Sequence, residues 1–241
     1  MFDLKLFKKK ASEYSSFFLA GCDEVGRGPL AGPVVAACTS IEIKKFDEIE
    51  LKSLLKAWTK LGVTDSKKLK SKERSSILTK FSIIKLEAFQ NYTLYSSKNI
   101  HIVINIQEIS PVKIDQINIL EASLLAMKEA VLASTPSGLP GLILIDGNKK
   151  LKMISPLLEQ MPVVKGDLKS LLIGLASIFA KEYRDELMRE NALLFPVYGW
   201  EQNSGYPTKK HLEAISEHGI TKIHRLTFRG VKEIYETRGY N

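Results

Sequence analysis

The stretch that most restricts what this chain can become runs from Phe18 to Cys38, FLAGCDEVGRGPLAGPVVAAC. Phe18 to Cys22 is one short apolar run, and Val34 to Cys38 is a second, entered through Gly32 and Pro33. Short apolar runs bounded by glycine and proline read as strands. Between them Asp23 and Glu24 stand side by side, followed by a turn carrying Gly26, Arg27 and Gly28. Two acids at the end of a buried strand are costly unless positive charge sits beside them, and a divalent metal is the usual supplier. A pair of solvated turn acids is the plainer alternative, which an adjacent Asp-Glu alone would favour. The Gly-Arg-Gly tips the balance: glycine lets a backbone approach a ligand closely, and its amides then donate to oxygens.

The totals limit the rest. A chain of 241 residues, 44% hydrophobic and 26% charged, fits one globular domain with or without an appendage. A net charge of +8 points to an anionic partner such as nucleic acid or a membrane surface, or to a protein merely kept soluble by its charge. Cys22 and Cys38 are too few for a disulfide framework, so a reducing compartment is expected. No run is apolar for long enough to span a membrane, and the first residues lack the pattern of a secretory signal, so a cytoplasmic protein is expected.

Along the chain, residues 1 to about 16 read as a lead-in helix whose Lys5, Lys8, Lys9 and Lys10 are solvated. From Lys52 to Arg74 there are eight cations against two acids, able to neutralise phosphates or simply to form a solvated face. Ser71 reads as a helix N-cap with Arg74 in the first turn. Residues 81–110 predict a β-hairpin broken at Ser96–Asn99, with His101 structural. Asp115 reads as the cap of a helix from Gln116 to about Ser134, with Leu120, Leu124, Met127 and Val131 facing the core. Gly141 to Asn148 is a buried strand that ends in Asp146, in isolation no more than an Asp-Gly turn. Met161–Asp167 predicts a last strand, and Leu168 to about Asn191 a helix on which Ser177, Lys181 and Asp185 share a face. Lys181 and Asp185 are at least an exposed ion pair. After Phe195 the chain turns to aromatics, glycines and basics. There Tyr198 and Trp200 suit a small core, and Thr208 caps a final helix stopped by Gly219.

The run Gly21-Cys-Asp23-Glu24-Val-Gly26-Arg27-Gly28-Pro29-Leu-Ala-Gly32-Pro33-Val-Val closely resembles the signature of ribonuclease HII, which cuts RNA embedded in or paired with DNA. Asp65-Ser66-Lys67-Lys68-Leu69, Ile114 to Ala122, Ser177 to Asp185, Gly205-Tyr206 and Arg225-Leu-Thr227-Phe228 extend the resemblance over most of residues 18 to 230. Segments 41–60 and 90–105 find no place in it. Asn203-Ser204 departs from the family's His-Lys and removes a cation from a loop facing nucleic acid. The related ribonuclease HIII has Gly-Thr-Gly and an added N-terminal domain, so Arg27 and the short N-terminus favour HII.

The resemblance implies an α/β ribonuclease H-like fold, with a mixed central β-sheet flanked by helices and a small helical C-terminal region. Residues 1–194 would form the catalytic part and 195–241 a substrate-contacting part. It implies that Asp23, Glu24, Asp146 and Asp185 converge as catalytic, metal-binding acids; Asp167, the competitor, better suits a helix cap. Hard carboxylate oxygens without a Cys/His set suit Mn²⁺ or Mg²⁺. Gly26, Arg27, Gly28, Lys67, Lys181 and Tyr206 would hold substrate, an RNA–DNA hybrid or a ribonucleotide-containing duplex. The expected enzyme is a monomer that uses two ions and leaves a 5′-phosphate and a 3′-hydroxyl. A non-catalytic module binding nucleic acid through residues 52–74, or a different nuclease or integrase on the same fold, are the rivals.

Overall fold

The computed structural model describes residues 1–64, 66–152 and 155–239, with the side chain of Lys67 outside that description. Six strands form one sheet in the order β3-β4-β2-β1-β5-β6. Strands β1 (Phe17–Val25), β2 (Val34–Ile43), β3 (Asn91–Ser96) and β4 (Ile100–Ile109) pair antiparallel, while β5 (Gly141–Asp146) and β6 (Leu158–Val163) run parallel to β1. The sheet is therefore mixed. Alternate residues of β1 feed two cores: Phe17 and Leu19 face one, while Phe18, Ala20 and Cys22 face the other. That double burial explains the continuous apolar runs of β1 and β5, since a strand covered on both faces has no polar side.

On the first face lie α1 (Phe2–Glu13), α2 (Glu48–Lys60), α3 (Ser71–Lys80) and the long α6 (Leu171–Leu194). Gly21 allows α6 to lie directly on β1, because a Cβ there would stand 2.6 Å from the Ile173 nitrogen. On the second face lies α5 (Ile119–Ser134), after the short α4 (Pro111–Ile117). Helices α7 (Trp200–Asn203), α8 (Lys209–His218) and α9 (Lys232–Arg238) complete the C-terminal region. There Tyr198 and Trp200 stack with ring centroids 4.9 Å apart and join Leu30, Met188 and Ile215 in a third core. None of the described helices is long and apolar enough to cross a membrane.

Several local expectations need correction. Asp115 lies inside α4, because Pro111 opens a helix earlier; Asn118 caps α5, its Oδ1 accepting from the amides of Leu120 and Glu121 at 3.0 and 3.1 Å. Asp115 instead accepts from the amides of Leu226 and Thr227 at 2.9 Å and from the Thr227 hydroxyl at 2.6 Å, pinning the C-terminal region to α4. Ser71 is the first residue of α3 and not its cap; Lys70 takes that place, its amide donating to Glu73 at 2.6 Å. Lys10 is not solvated. It is buried between Glu13 and Glu159, and although burial opposes its charge, those carboxylates raise its pKa. Leu120 leaves the predicted core stripe and is exposed. The last strand ends at Val163, and Asp167 falls in a 3-10 turn, Gly166–Leu168; Ser170 caps α6. Helix α8 is capped by Thr208 and stopped at Gly219 as read, but α9 follows it. Segment 41–60 supplies α2, capped by Asp47, and segment 90–105 the β3–β4 hairpin.

Candidate active site

Two adjacent parallel strands end at one rim of the sheet. The register of β1 on β5 pairs Cys22 with Ile145, so Asp23, two residues before the end of β1, lies level with Asp146, the last residue of β5. Asp23 points to the α6 face, where the Ser177 hydroxyl hydrogen-bonds to it; Ser177 in turn meets the Ser66 hydroxyl at 2.8 Å. Asp23 also accepts the Glu24 amide at 2.7 Å. Asp146 accepts the Gly166 amide at 2.7 Å. Glu24 faces Arg27 at 3.4 Å.

Electrostatics tie three of these acids together. Burial pushes the Asp23 carboxyl well up, and the charges of Glu24 and Asp146 push it further. Glu24 is raised by burial, partly countered by Arg27 and reinforced by Asp146. Like charges this close in a poorly solvated place favour protons or cations. The donor set, all hard carboxylate oxygens, fits a divalent ion of the Mg²⁺ or Mn²⁺ kind. As the side chains stand, no three acidic, His or Cys groups among the described residues are grouped closely enough to hold an ion.

Asp185 explains part of that. Its two oxygens are taken by Arg74 at 2.8 Å and Lys181 at 2.6 Å. Lys181, expected on the substrate, is thus half of a short i,i+4 ion pair. Arg74, read as part of a solvated face, is only 5% exposed. It also donates to Glu182 at 3.0 Å and to the carbonyls of Leu69 and Ser66 at 2.8 and 3.4 Å. It therefore braces the Ser66–Lys68 turn against α6. Lys67 lies in that turn, and its side chain, like Asp65, lies outside the described residues.

The C-terminal region brings Tyr206 to the same rim. Its ring lies over Gly28, where a Cβ would be 3.4 Å from the Tyr206 Cε1. Arg27 and Gly28 are exposed, and a groove of about 590 Å³ runs from Gly28 and Leu30 past Pro207 to Phe228 and Arg229. Asn203 is a brace: its side chain donates to the Tyr198 carbonyl at 2.7 Å and accepts the Gly205 amide at 2.8 Å. Beneath Tyr206 lie two buried histidines. His211 donates from Nδ1 to the Tyr206 carbonyl at 2.9 Å, leaving Nε2 to accept from Trp200 at 3.0 Å and from His224 at 3.3 Å. Burial lowers both, and His211 helps to bring His224 down to about 3, so the pair is neutral.

Sequence reasoning missed Arg74, His211 and His224, and also the fully buried Arg184 and Arg225. Burial lowers Arg184 to about 10 and, with Arg184 adding repulsion, Arg225 to about 9, so both stay charged at neutral pH. Their partners are backbone carbonyls far away in the chain, which leave no local sequence signal.

A mixed sheet of this order, with acids at the ends of two neighbouring strands and another on the helix laid across them, defines a nuclease domain of the ribonuclease H-like fold. Two solved structures share it. The ribonuclease H2 of Pyrococcus horikoshii OT3 matches with a TM-score of 0.61 at 24% identity, over 93% of this chain and 100% of that one. Bst-RNase HIII in complex with Mn²⁺ matches with a TM-score of 0.59 at 17% identity, over 96% of this chain and 73% of that one. The family model of ribonuclease HII matches residues 20–231, and the ribonuclease HII of Endomicrobium trichonymphae is 44% identical over 216 residues, covering 90% of this chain and 87% of that protein. The chain belongs to the ribonuclease HII family. It is a ribonuclease H enzyme, an endonuclease of a family that acts on RNA–DNA hybrids and depends on divalent metal.

Proposed function

We propose that this enzyme cleaves on the 5′ side of ribonucleotides embedded in duplex DNA, as well as the RNA strand of hybrids, leaving a 5′-phosphate and a 3′-hydroxyl. Its role would be removal of misplaced ribonucleotides and of RNA primers in DNA replication and repair. The observation that carries this reading is the acid rim on the strand that leads into the Gly26–Gly28 turn, together with the Tyr206 ring against Gly28 of that turn.

Asp23, Glu24, Asp146 and Asp185 would hold two ions, Mn²⁺ or Mg²⁺, once Asp185 turns from Arg74 and Lys181. When bound, the ions supply the neutralising charge that lets hydroxide form and a phosphodiester be polarised near neutral pH. Ligation needs the carboxylate forms of Asp23 and Glu24, whose pKa values burial raises, so ion uptake is favoured by proton release. Lys181, freed from Asp185, and Lys67 would neutralise phosphates. The backbone amides of Arg27 and Gly28, two exposed residues, would donate to the 2′-hydroxyl, the group that separates RNA from DNA. Tyr206 would pack on the next sugar and favour a deoxynucleotide there.

Residues 1–194 serve as the catalytic part and 195–241 as the substrate-contacting part of a monomer in this reading. The buried free thiols of Cys22 and Cys38 are consistent with a cytoplasmic setting. One assay tests the proposal: a DNA duplex with a single ribonucleotide, incubated with and without Mg²⁺ or Mn²⁺, with the product ends mapped. Metal-dependent cleavage 5′ of the ribonucleotide is expected. Cleavage of the all-DNA twin would refute it, and so would equal losses for Tyr206→Ala on the single-ribonucleotide duplex and in binding to plain DNA.

A further inference from the structure

Two arginines beneath the Gly26–Pro33 loop spend their hydrogen-bond donors on its backbone. Arg225 donates from Nε to the Gly32 carbonyl at 2.9 Å, from Nη1 to Arg27 at 3.1 Å and from Nη2 to Gly26 at 2.6 Å. Arg184 donates from Nε to Pro33 at 3.1 Å, from Nη2 to Ala31 at 3.0 Å and from Nη1 to Ser204 at 3.0 Å. Both are fully buried, and among the described residues neither forms an ion pair with a carboxylate. A buried charge without a paired counter-ion is costly; here the carbonyl dipoles offset it, helped by the Phe228 ring 5.0 Å from Arg225 and by the charges of Asp115 and Asp185.

The geometry has a direction. Five carbonyls of one loop turn inward to the guanidiniums, and no backbone hydrogen bond among the described residues uses the amides of Arg27 and Gly28. A glycine-rich loop would otherwise sample many conformations, and donors discriminate only when already oriented. The planar fork of arginine, with its donors in a rigid array, suits a clamp on several carbonyls. Gly26 completes the fit: at φ +90 its missing Cβ would stand 2.2 Å from the Arg184 Nε. The Ser204 contact lets Arg184 set the register of the Gly205–Tyr206 turn against the same loop.

We propose that Arg184 and Arg225 are positioning residues for ribonucleotide recognition, holding the Arg27 and Gly28 amides outward so that the enzyme separates a 2′-hydroxyl from a 2′-hydrogen. The inference rests on the reading that this loop meets the 2′-hydroxyl. The charge on the two side chains also leaves a positive field under the loop, on the side that phosphates approach.

The test is a binding ratio. A short labelled DNA duplex with one central ribonucleotide, and its all-deoxy twin, are titrated in EDTA with the parent protein, Arg225→Lys and Arg184→Lys, and anisotropy is read. Lysine keeps the charge and loses the fork. A ratio of two dissociation constants on one preparation cancels any unfolded fraction, so a purely structural defect does not move it. The parent should prefer the ribonucleotide duplex. Each variant should bring the ratio to within about twofold of one, with all-DNA binding within about twofold of the parent's, because loss of an oriented donor removes discrimination and not phosphate contact. Variants that keep the parental ratio, or weaken both duplexes equally, overturn the clamp. A parent with no preference overturns the loop reading itself, and the clamp with it.

Discussion

Replacing the buried Arg74 by alanine should destabilise this protein markedly. The side chain is 5% exposed, and it joins Glu182, Asp185 and two carbonyls of the 66–69 turn to α6. Deleting one partner of a buried pair costs about 3–5 kcal/mol, because the remaining charge stays buried. Both acids keep something: Glu182 retains the Ser75 hydroxyl at 2.7 Å, and Asp185 retains Lys181 at 2.6 Å. The cost therefore falls near the lower end, about 3 kcal/mol. For a chain of this size that lowers Tm by about 6–12 °C, at about 2–4 °C per kcal/mol. Arg74→Lys, a point charge without the fork, should recover only part of the loss. Thermal unfolding followed by far-UV circular dichroism, in EDTA at low and high salt, measures all of this. The loss should persist at high salt, because a buried pair is poorly screened. In a double-mutant cycle, Arg74→Ala and Asp185→Asn should couple by about 1 kcal/mol. A loss below about 1 kcal/mol for Arg74→Ala, or one abolished by salt, would refute the claim that Arg74 pins the basic turn to the helix.

The acid rim predicts a stability cost that metal relieves. Asp23 and Glu24 are raised in the folded state, so that state binds more protons than the unfolded chain once pH exceeds the ordinary carboxylate range. Stability of the metal-free enzyme should then fall as pH rises from that range through their raised values. Asp23→Asn should flatten that fall, raise the metal-free Tm at neutral pH by about 1–8 °C, and abolish cleavage; an Asp23→Asn melt identical to the parent's at every pH would contradict the repulsion. Gly26→Ala places a side chain at φ +90 and drives its Cβ into Arg184. It should cost at least about 2 kcal/mol in urea unfolding, and a neutral effect would mean that the loop is not held as described.

Much of the fold was legible because its signals are local. The strand Gly141–Asp146 is an unbroken apolar run ending in an acid, and α8 lies between Thr208 and Gly219, residues that start and stop helices by their own chemistry. The hairpin of β3 and β4 likewise follows from β-branched runs around a polar break. What escaped depends on partners far along the chain. Lys10 looks like any helix lysine until Glu159 folds against it, 149 residues away. Asp115 has the composition and place of a cap, yet it serves residues 226 and 227. Arg225 is one of many basic residues in the sequence, and only the fold brings it under Gly26, 199 residues earlier. The site divides the same way. The residues of the rim were named by resemblance, and the parallel register of β1 and β5 brings Asp23 and Asp146 level. The pairing of Asp185 with Lys181 follows from their four-residue spacing, but its hold by Arg74 could not be read that way, since Arg74 lies 111 residues before it.

The most direct test of the central claim is Mn²⁺ binding itself, read by calorimetry or by the loss of the free-ion electron paramagnetic resonance signal, without nucleic acid. The parent and Asp167→Asn should bind Mn²⁺ alike, and Asp146→Asn should weaken it by at least about tenfold, as expected when one of a few charged oxygen ligands is lost. Unchanged affinity in Asp146→Asn, or an equal loss in Asp167→Asn, would contradict the assignment of the rim carboxylates as the metal site.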